Sequence, residues 1–272
     1  MLNIKSNDVL QNKDKMVSSK MSHAIALTSL TILLSLYYGT SVGFFGLHPI
    51  GTTSISTTPL IVPEGFAFSI WGVIYTGLIL FPIYQIIRVK NMNEWIQVRL
   101  WYALNVLLNG LWLVCASYDW LWTTVAIIFL MLFSLIKINI LLVQIKKARI
   151  SINYWMESLV FSVYFGWITL AAVLNIAAAL SYHRWDGMGL QDVTWSYLIL
   201  TVASTIVFAL FRYYRDNAFA LVSVWAFFWL MIRHWSTMPL LAYFSGGIMG
   251  FFALLVFLNF AKEIKNRGKV SY

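Results

Sequence analysis

Apolar residues in this chain come in long runs separated by short polar clusters. The runs cover residues 24–45, 66–88, 98–117, 120–145, 154–180, 194–213, 217–234 and 238–260. A span of about 20 apolar residues crosses the hydrocarbon core of a bilayer as a helix. Only helices and closed barrels satisfy every backbone N–H and C=O in lipid. The pattern therefore predicts an all-α integral membrane protein with eight transmembrane helices. The seventh span is the shortest, and only YRDN, residues 214–217, joins it to the sixth.

Composition agrees with that class. The chain is 60% hydrophobic and 11% charged, with a mean hydropathy of +0.76, whereas soluble domains carry about 25% charged residues. The N-terminus has roughly twenty polar, lysine-rich residues before an apolar run too long for the h-region of a signal peptide. It is expected to stay uncleaved. One cysteine, Cys115, excludes an internal disulfide and a multi-cysteine metal site.

The formal charge of +9 reads as topology. With the N-terminus inside, Lys5, Lys13, Lys15 and Lys20 are cytoplasmic. So are Arg88, Lys90, Arg99, Lys146, Lys147, Arg149, Arg212 and Arg215 of the inner loops, and Lys262, Lys265, Arg267 and Lys269 of the C-terminal tail. Outside stand Arg184 and Arg233, and Lys137 falls within the fourth span. This asymmetry places both termini in the cytoplasm. It implies a lipid-bilayer partner and no nucleic acid. A bacterial plasma membrane fits best.

The unusual residues then gather at one depth. The second span opens with PEGFAFSIWGVIY, residues 63–75, with Phe66 near its start and Trp71 and Tyr75 one turn apart. The third carries LNGLW, placing Asn109 and Trp112 on one face. The fifth carries WITLAAVLN, placing Trp167, Ala171 and Asn175 on one face. Trp71, Trp112 and Asn175 each lie about five residues from the outer end of their span, roughly 8 Å below the surface. Gly39 and Gly43 in the first span have a spacing suited to close helix packing. Above them runs an outer loop, residues 46–65, GLHPIGTTSISTTPLIVPEG, with the length of a lid. Each residue also has a plainer reading. Asparagines in spans bond neighbouring helices, and tryptophans near membrane surfaces form interfacial belts, the default for Trp120, Trp122, Trp185, Trp195 and Trp235. Those readings do not account for the shared face and depth. Flat aromatics with two amides suit a large apolar ligand carrying a few polar groups.

In these motifs the chain resembles the tryptophan-rich sensory proteins, also called translocator proteins or mitochondrial benzodiazepine receptors. The second-span Trp71 and Tyr75, the Leu108–Asn109–Trp112 element, and Trp167, Ala171, Leu174 and Asn175 match the family in order and spacing. The resemblance covers residues 24–181. It implies a five-helix bundle over 23–181 that binds porphyrins or other hydrophobic ligands in an outer-side pocket, commonly as a homodimer, with a sensory or transport role. No cofactor is required; a porphyrin or haem-like molecule enters as ligand. Residues 1–22 are then a polar N-terminal tail, 182–260 three additional spans and 261–272 a basic tail. Loop 46–65 lacks the family's tryptophans, and Phe66 stands where the family often has Trp, so porphyrin breakdown is not carried over.

Two other classes compete. A secondary transporter of a small solute places ionisable groups near the midplane; Glu157, Lys137 and Arg233 lie near span ends, where snorkelling is expected. An integral-membrane enzyme needs a catalytic constellation. His48, His183 and His234 fall on three separate outer loops, and no catalytic set or metal site is legible. His48 is at most a haem ligand, otherwise a solvated loop residue. Asp186 and Asp192 read as solvated charges.

Overall fold

The computed structural model describes residues 2–49, 58–88 and 92–268, with side chains between Asp14 and Lys265. Among the described residues there is no strand, and eight helices follow one another. They are α1 (Leu2–Ser41), α2 (Ile70–Ile87), α3 (Asn93–Ser117), α4 (Leu121–Lys147), α5 (Leu159–Tyr182), α6 (Asp192–Tyr214), α7 (Asn217–His234) and α8 (Pro239–Gly268). A 3₁₀ turn, Gly65–Ser69, leads into α2, and a π-helical turn, Tyr154–Ser158, leads into α5. All eight contain a stretch long and apolar enough to cross a membrane, so the predicted all-α class with eight spans holds; the first span lies at 14–41 rather than 24–45. The polar N-terminal segment is not separate from the first span: it continues α1, and Ser19 and Ser22 within it are buried. Residues 50–57 of the outer loop, Lys90 and the last four residues of the basic tail lie outside the described residues.

The chain forms two compact units. The first holds residues 1–53 and 74–161, the second residues 54–73 and 162–272. The boundaries fall inside α2 and α5.

In the first unit α3 packs between α1 and α4. Gly110 sets the α1–α3 approach: a Cβ there would stand 2.9 Å from Leu36 Cδ1 and 3.5 Å from the Cα of Leu33. Toward α4, Asn105 Nδ2 donates to the Met131 carbonyl at 3.1 Å and to Ser134 Oγ at 2.7 Å. A Cβ added at Gly39 or Gly43 would meet first the loop that follows α1. Gly43 lies past the end of α1 at φ +72°, a conformation that favours glycine, and a Cβ on Gly39 would strike the ring of Phe45 in the same loop.

In the second unit α7 and α8 pack closely. The short α6–α7 connection works because Arg215 takes the left-handed conformation that ends α6. Asp216 then caps α7, accepting from the N–H groups of Ala218 and Phe219 at 2.9 and 3.2 Å. Ser162 on α5 also donates its hydroxyl to Asp216. Gly166 lets α5 approach α7, since a Cβ there would be 2.7 Å from the Phe219 carbonyl oxygen.

Candidate functional site

The residues singled out by the sequence divide between the two units. In the first, Tyr75 on α2 donates its hydroxyl to Asn109 Oδ1 on α3 at 3.2 Å. Asn109 is fully buried and Trp112, one turn further along α3, is half-buried. The ring of Tyr37 on α1 packs against Tyr75 at 5.2 Å between centroids. Tyr75 and Asn109 thus meet, with Tyr37 as a neighbour the sequence did not reveal.

In the second unit Trp167 on α5 is the centre of an aromatic cluster. Phe68 meets it edge-on at 5.7 Å and Trp71 at 6.4 Å, and Trp71 also packs on Tyr164 at 5.9 Å. Trp167 is 1% exposed, yet its indole Nε1 is buried with no hydrogen-bond partner. An unmet buried donor costs about 1–3 kcal/mol. Asn175 donates to the carbonyl of Ala171 on its own helix at 2.9 Å. Phe66, which is 60% exposed, turns instead to α7, against Trp229 at 4.9 Å and Trp225 at 6.1 Å.

Trp167 also lines a small apolar cavity of about 40 Å³, with Pro63, Leu170, Leu174, Leu200, Ala203 and Phe227 among its walls. Ligand pockets for drug-sized molecules measure roughly 300–1,000 Å³. A larger, open groove of about 540 Å³ runs along α6 and α8 past Ser204, Phe208, Tyr243, Gly247 and Phe251. It contains none of the residues singled out by the sequence, and the hydroxyls of Ser204 and Thr205 on its wall both donate to the Thr201 carbonyl of their own helix.

α7 holds the segment that precedes α2. Arg233 Nη1 donates to the Val62 carbonyl at 2.6 Å, and His234 Nε2 lies 2.7 Å from the Leu60 carbonyl oxygen. The Glu64 N–H donates to the Trp229 carbonyl at 3.3 Å, and Trp225 Nε1 donates to the Ala67 carbonyl at 2.9 Å. Leu60 can only accept, so His234 carries its proton on Nε2. Arg233 is thus held by the segment before α2, and His234 is a buried helix-end residue rather than a loop residue.

Three further expectations change. His48 is not a solvated loop residue: its Nε2 pairs with Asp119 Oδ1 at 3.3 Å, where Leu47 also donates its N–H to the Ser117 carbonyl. Glu157 and Arg99, expected at the membrane edge and in an inner loop, are both 0% exposed. Arg99 donates to Ser22 Oγ at 2.9 Å, Ser19 Oγ at 3.1 Å and Gln85 Oε1 at 2.8 Å. Gln85 in turn donates to Glu157 Oε1. Lys137 places its ammonium 5.2 Å from the ring centroid of Phe133, one turn back on α4. Among the described residues, no group of three or more His, Cys, Asp or Glu side chains is placed to hold a metal.

Eight apolar helices of spanning length, with aromatic and amide residues grouped inside them, define a polytopic helical membrane protein. A family model for TSPO-like proteins matches residues 23–258. The chain belongs to the TSPO-like protein family. The match runs well into α8, so α6–α8 lie inside the family region and the resemblance does not stop at residue 181. Neither a curated protein nor a solved structure gives a match.

Proposed function

We propose that this TSPO-like membrane protein binds a flat, hydrophobic, porphyrin-like ligand and serves in its sensing or transport. The observation that carries this reading is Trp167, a buried indole with an unmet N–H beside an apolar cavity, packed against Phe68 and Trp71, with Tyr164 behind Trp71. A ligand acceptor would satisfy that donor, and the surrounding rings would stack on a flat π-system. The cavity is too small for such a ligand at rest, so binding requires these side chains to part. Ligand contacts are assigned to Phe66, Trp71, Trp167, Ala171 and Asn175 in the second unit. Tyr75, Asn109 and Trp112 in the first unit are candidates in their own right. A homodimer and a bacterial plasma-membrane setting, with both termini cytoplasmic, complete the proposal.

A titration of detergent-solubilised protein with protoporphyrin, read by quenching of tryptophan fluorescence, tests it. Saturable quenching weakened by Trp71→Ala, Trp112→Phe and Asn175→Ala is expected. Quenching that never saturates would remove the reading.

A second reading, transport of a small solute, draws on the buried Arg99–Gln85–Glu157 chain, because ionisable groups inside spanning helices commonly mark solute or ion paths.

A further inference from the structure

Four elements of the first unit meet in one polar layer. α1 supplies Ser19 and Ser22, α2 supplies Gln85 two residues before its end, α3 supplies Arg99 from its second turn, and the π-helical turn before α5 supplies Glu157. All five are buried to within 2%. Glu157 Oε2 also accepts from the Asn153 N–H at 2.6 Å, while Asn153 Oδ1 caps Trp155 and Met156. The hydroxyl of Tyr84 accepts from Asn153 Nδ2 at 3.3 Å. The layer thus fixes the π-helical turn as well as the helices.

A second layer lies one helical turn away. Phe81 precedes Gln85 by four residues, Tyr102 follows Arg99 by three and Phe161 follows Glu157 by four, so each polar residue has an aromatic residue on the same face of its helix. These three rings touch one another, at 5.1 Å for Phe81–Tyr102, 4.9 Å for Phe81–Phe161 and 6.4 Å for Tyr102–Phe161. The Tyr102 hydroxyl donates to the Leu78 carbonyl at 2.7 Å. Continuing along the same two helices leads to Tyr75 and Asn109, about 15 Å from Arg99 along α3.

Stability alone does not account for this arrangement. A buried network of charged and polar side chains is often no more stabilising than apolar side chains of the same volume. What a polar layer provides is directional: several hydrogen bonds that hold four elements in one register and break together. The π-helical turn adds a backbone irregularity of a kind found frequently at functional sites.

We infer that Arg99, Gln85 and Glu157 form a latch, backed by the Phe81–Tyr102–Phe161 plug, that shuts this end of the first unit and bars passage to Tyr75 and Asn109. The inference rests on the reading of this protein as a transporter of a small solute. The end concerned is flanked by Lys15, Lys20, Arg88, Lys146, Lys147 and Arg149; the same charges assign it to the cytoplasm.

The test uses no ligand, so failure of porphyrin binding leaves it intact. Leu78, 1% exposed and beyond the plug, becomes the reporter as Leu78→Cys in a Cys115→Ala background. A membrane-impermeant thiol reagent is applied from either side of sealed, oriented vesicles. With the latch intact the reporter should stay unreactive. Glu157→Ala should raise labelling at least tenfold from the face with the basic loops and leave the other face unchanged. The combined Arg99→Met, Gln85→Leu and Glu157→Leu variant, which closes the layer with apolar side chains, should return labelling to the resting rate. Gln85→Met, which cuts the bridge and leaves both charges, is the second opening variant if Glu157→Ala does not fold. Unchanged labelling in a folded opening variant overturns the latch. So does an equal rise from both faces, or a combined variant as reactive as the single one.

Discussion

Tyr75 and Asn109 join α2 to α3 through one hydrogen bond, hydroxyl to Oδ1 at 3.2 Å, with the amide fully buried. Tyr75→Phe keeps the ring and its packing on Tyr37 but removes the donor. A net hydrogen bond contributes about 1 kcal/mol, so thermal unfolding in detergent should show a loss of that size. Asn109→Leu in the same background should add little further through this pair, since the partner hydroxyl is already gone.

The latch residues make a sharper thermodynamic prediction. Glu157→Ala leaves Gln85 and the Asn153 N–H without their acceptor, and Arg99→Met leaves Ser19, Ser22 and Gln85 without their donor; an unmet buried polar group costs about 1–3 kcal/mol. Glu157→Ala and Arg99→Met should each destabilise by roughly that amount, and a double substitution to apolar residues should recover much of it. Denaturation in detergent of the two single variants and the double variant completes the cycle. Additive losses would contradict coupling through Gln85.

Glycine substitutions separate close helix approach from open surface. Gly166→Ala drives a Cβ to within 2.7 Å of the Phe219 carbonyl oxygen, whereas a Cβ on Gly247 meets nothing within 4 Å. Overpacking of this kind costs about 1–3 kcal/mol. Gly166→Ala should lower the melting temperature, and Gly247→Ala should leave it unchanged within a degree or two.

Release of the α7 clasp should expose the segment before α2. Arg233→Ala removes a charged donor to the Val62 carbonyl and His234→Ala removes the bond to Leu60. Limited proteolysis near residues 58–64 should speed up in the double variant, with cutting elsewhere unaffected.

Much of this architecture was legible before the structure. The eight helices follow from apolar runs, because lipid permits no other open-ended solution. Helical spacing also places Trp71 and Tyr75 on α2 and Trp167 and Asn175 on α5, but it matches Trp71 in depth to Trp112 and Asn175, whereas the ring contact in the structure is with Trp167. Partnerships were harder to read. A glutamate near a span end looks the same whether it snorkels or bonds inward; Glu157 is settled by Gln85 and Arg99, which are distant in sequence. The hold of α7 on residues 60–67 was hidden likewise. The pair Trp225 and Trp229, spaced one turn apart, was the available signal, but a tryptophan in a span reads first as an interfacial anchor. By composition the polar start of α1 reads as a tail, whereas the structure continues α1 through it and its Ser19 and Ser22 accept from a buried guanidinium.

The most direct measurement of the central claim compares Trp167→Phe with Trp120→Phe in a protoporphyrin titration. Each loses one indole, but Trp167 holds a buried unmet N–H whereas Trp120 is 56% exposed and stacked on Tyr118. Loss of a ligand hydrogen bond of about 1 kcal/mol corresponds to roughly a fivefold weaker Kd. The account predicts that shift for Trp167→Phe and an unchanged Kd for Trp120→Phe. Equal affinities in wild type and both variants, with binding saturable in all three, would contradict it.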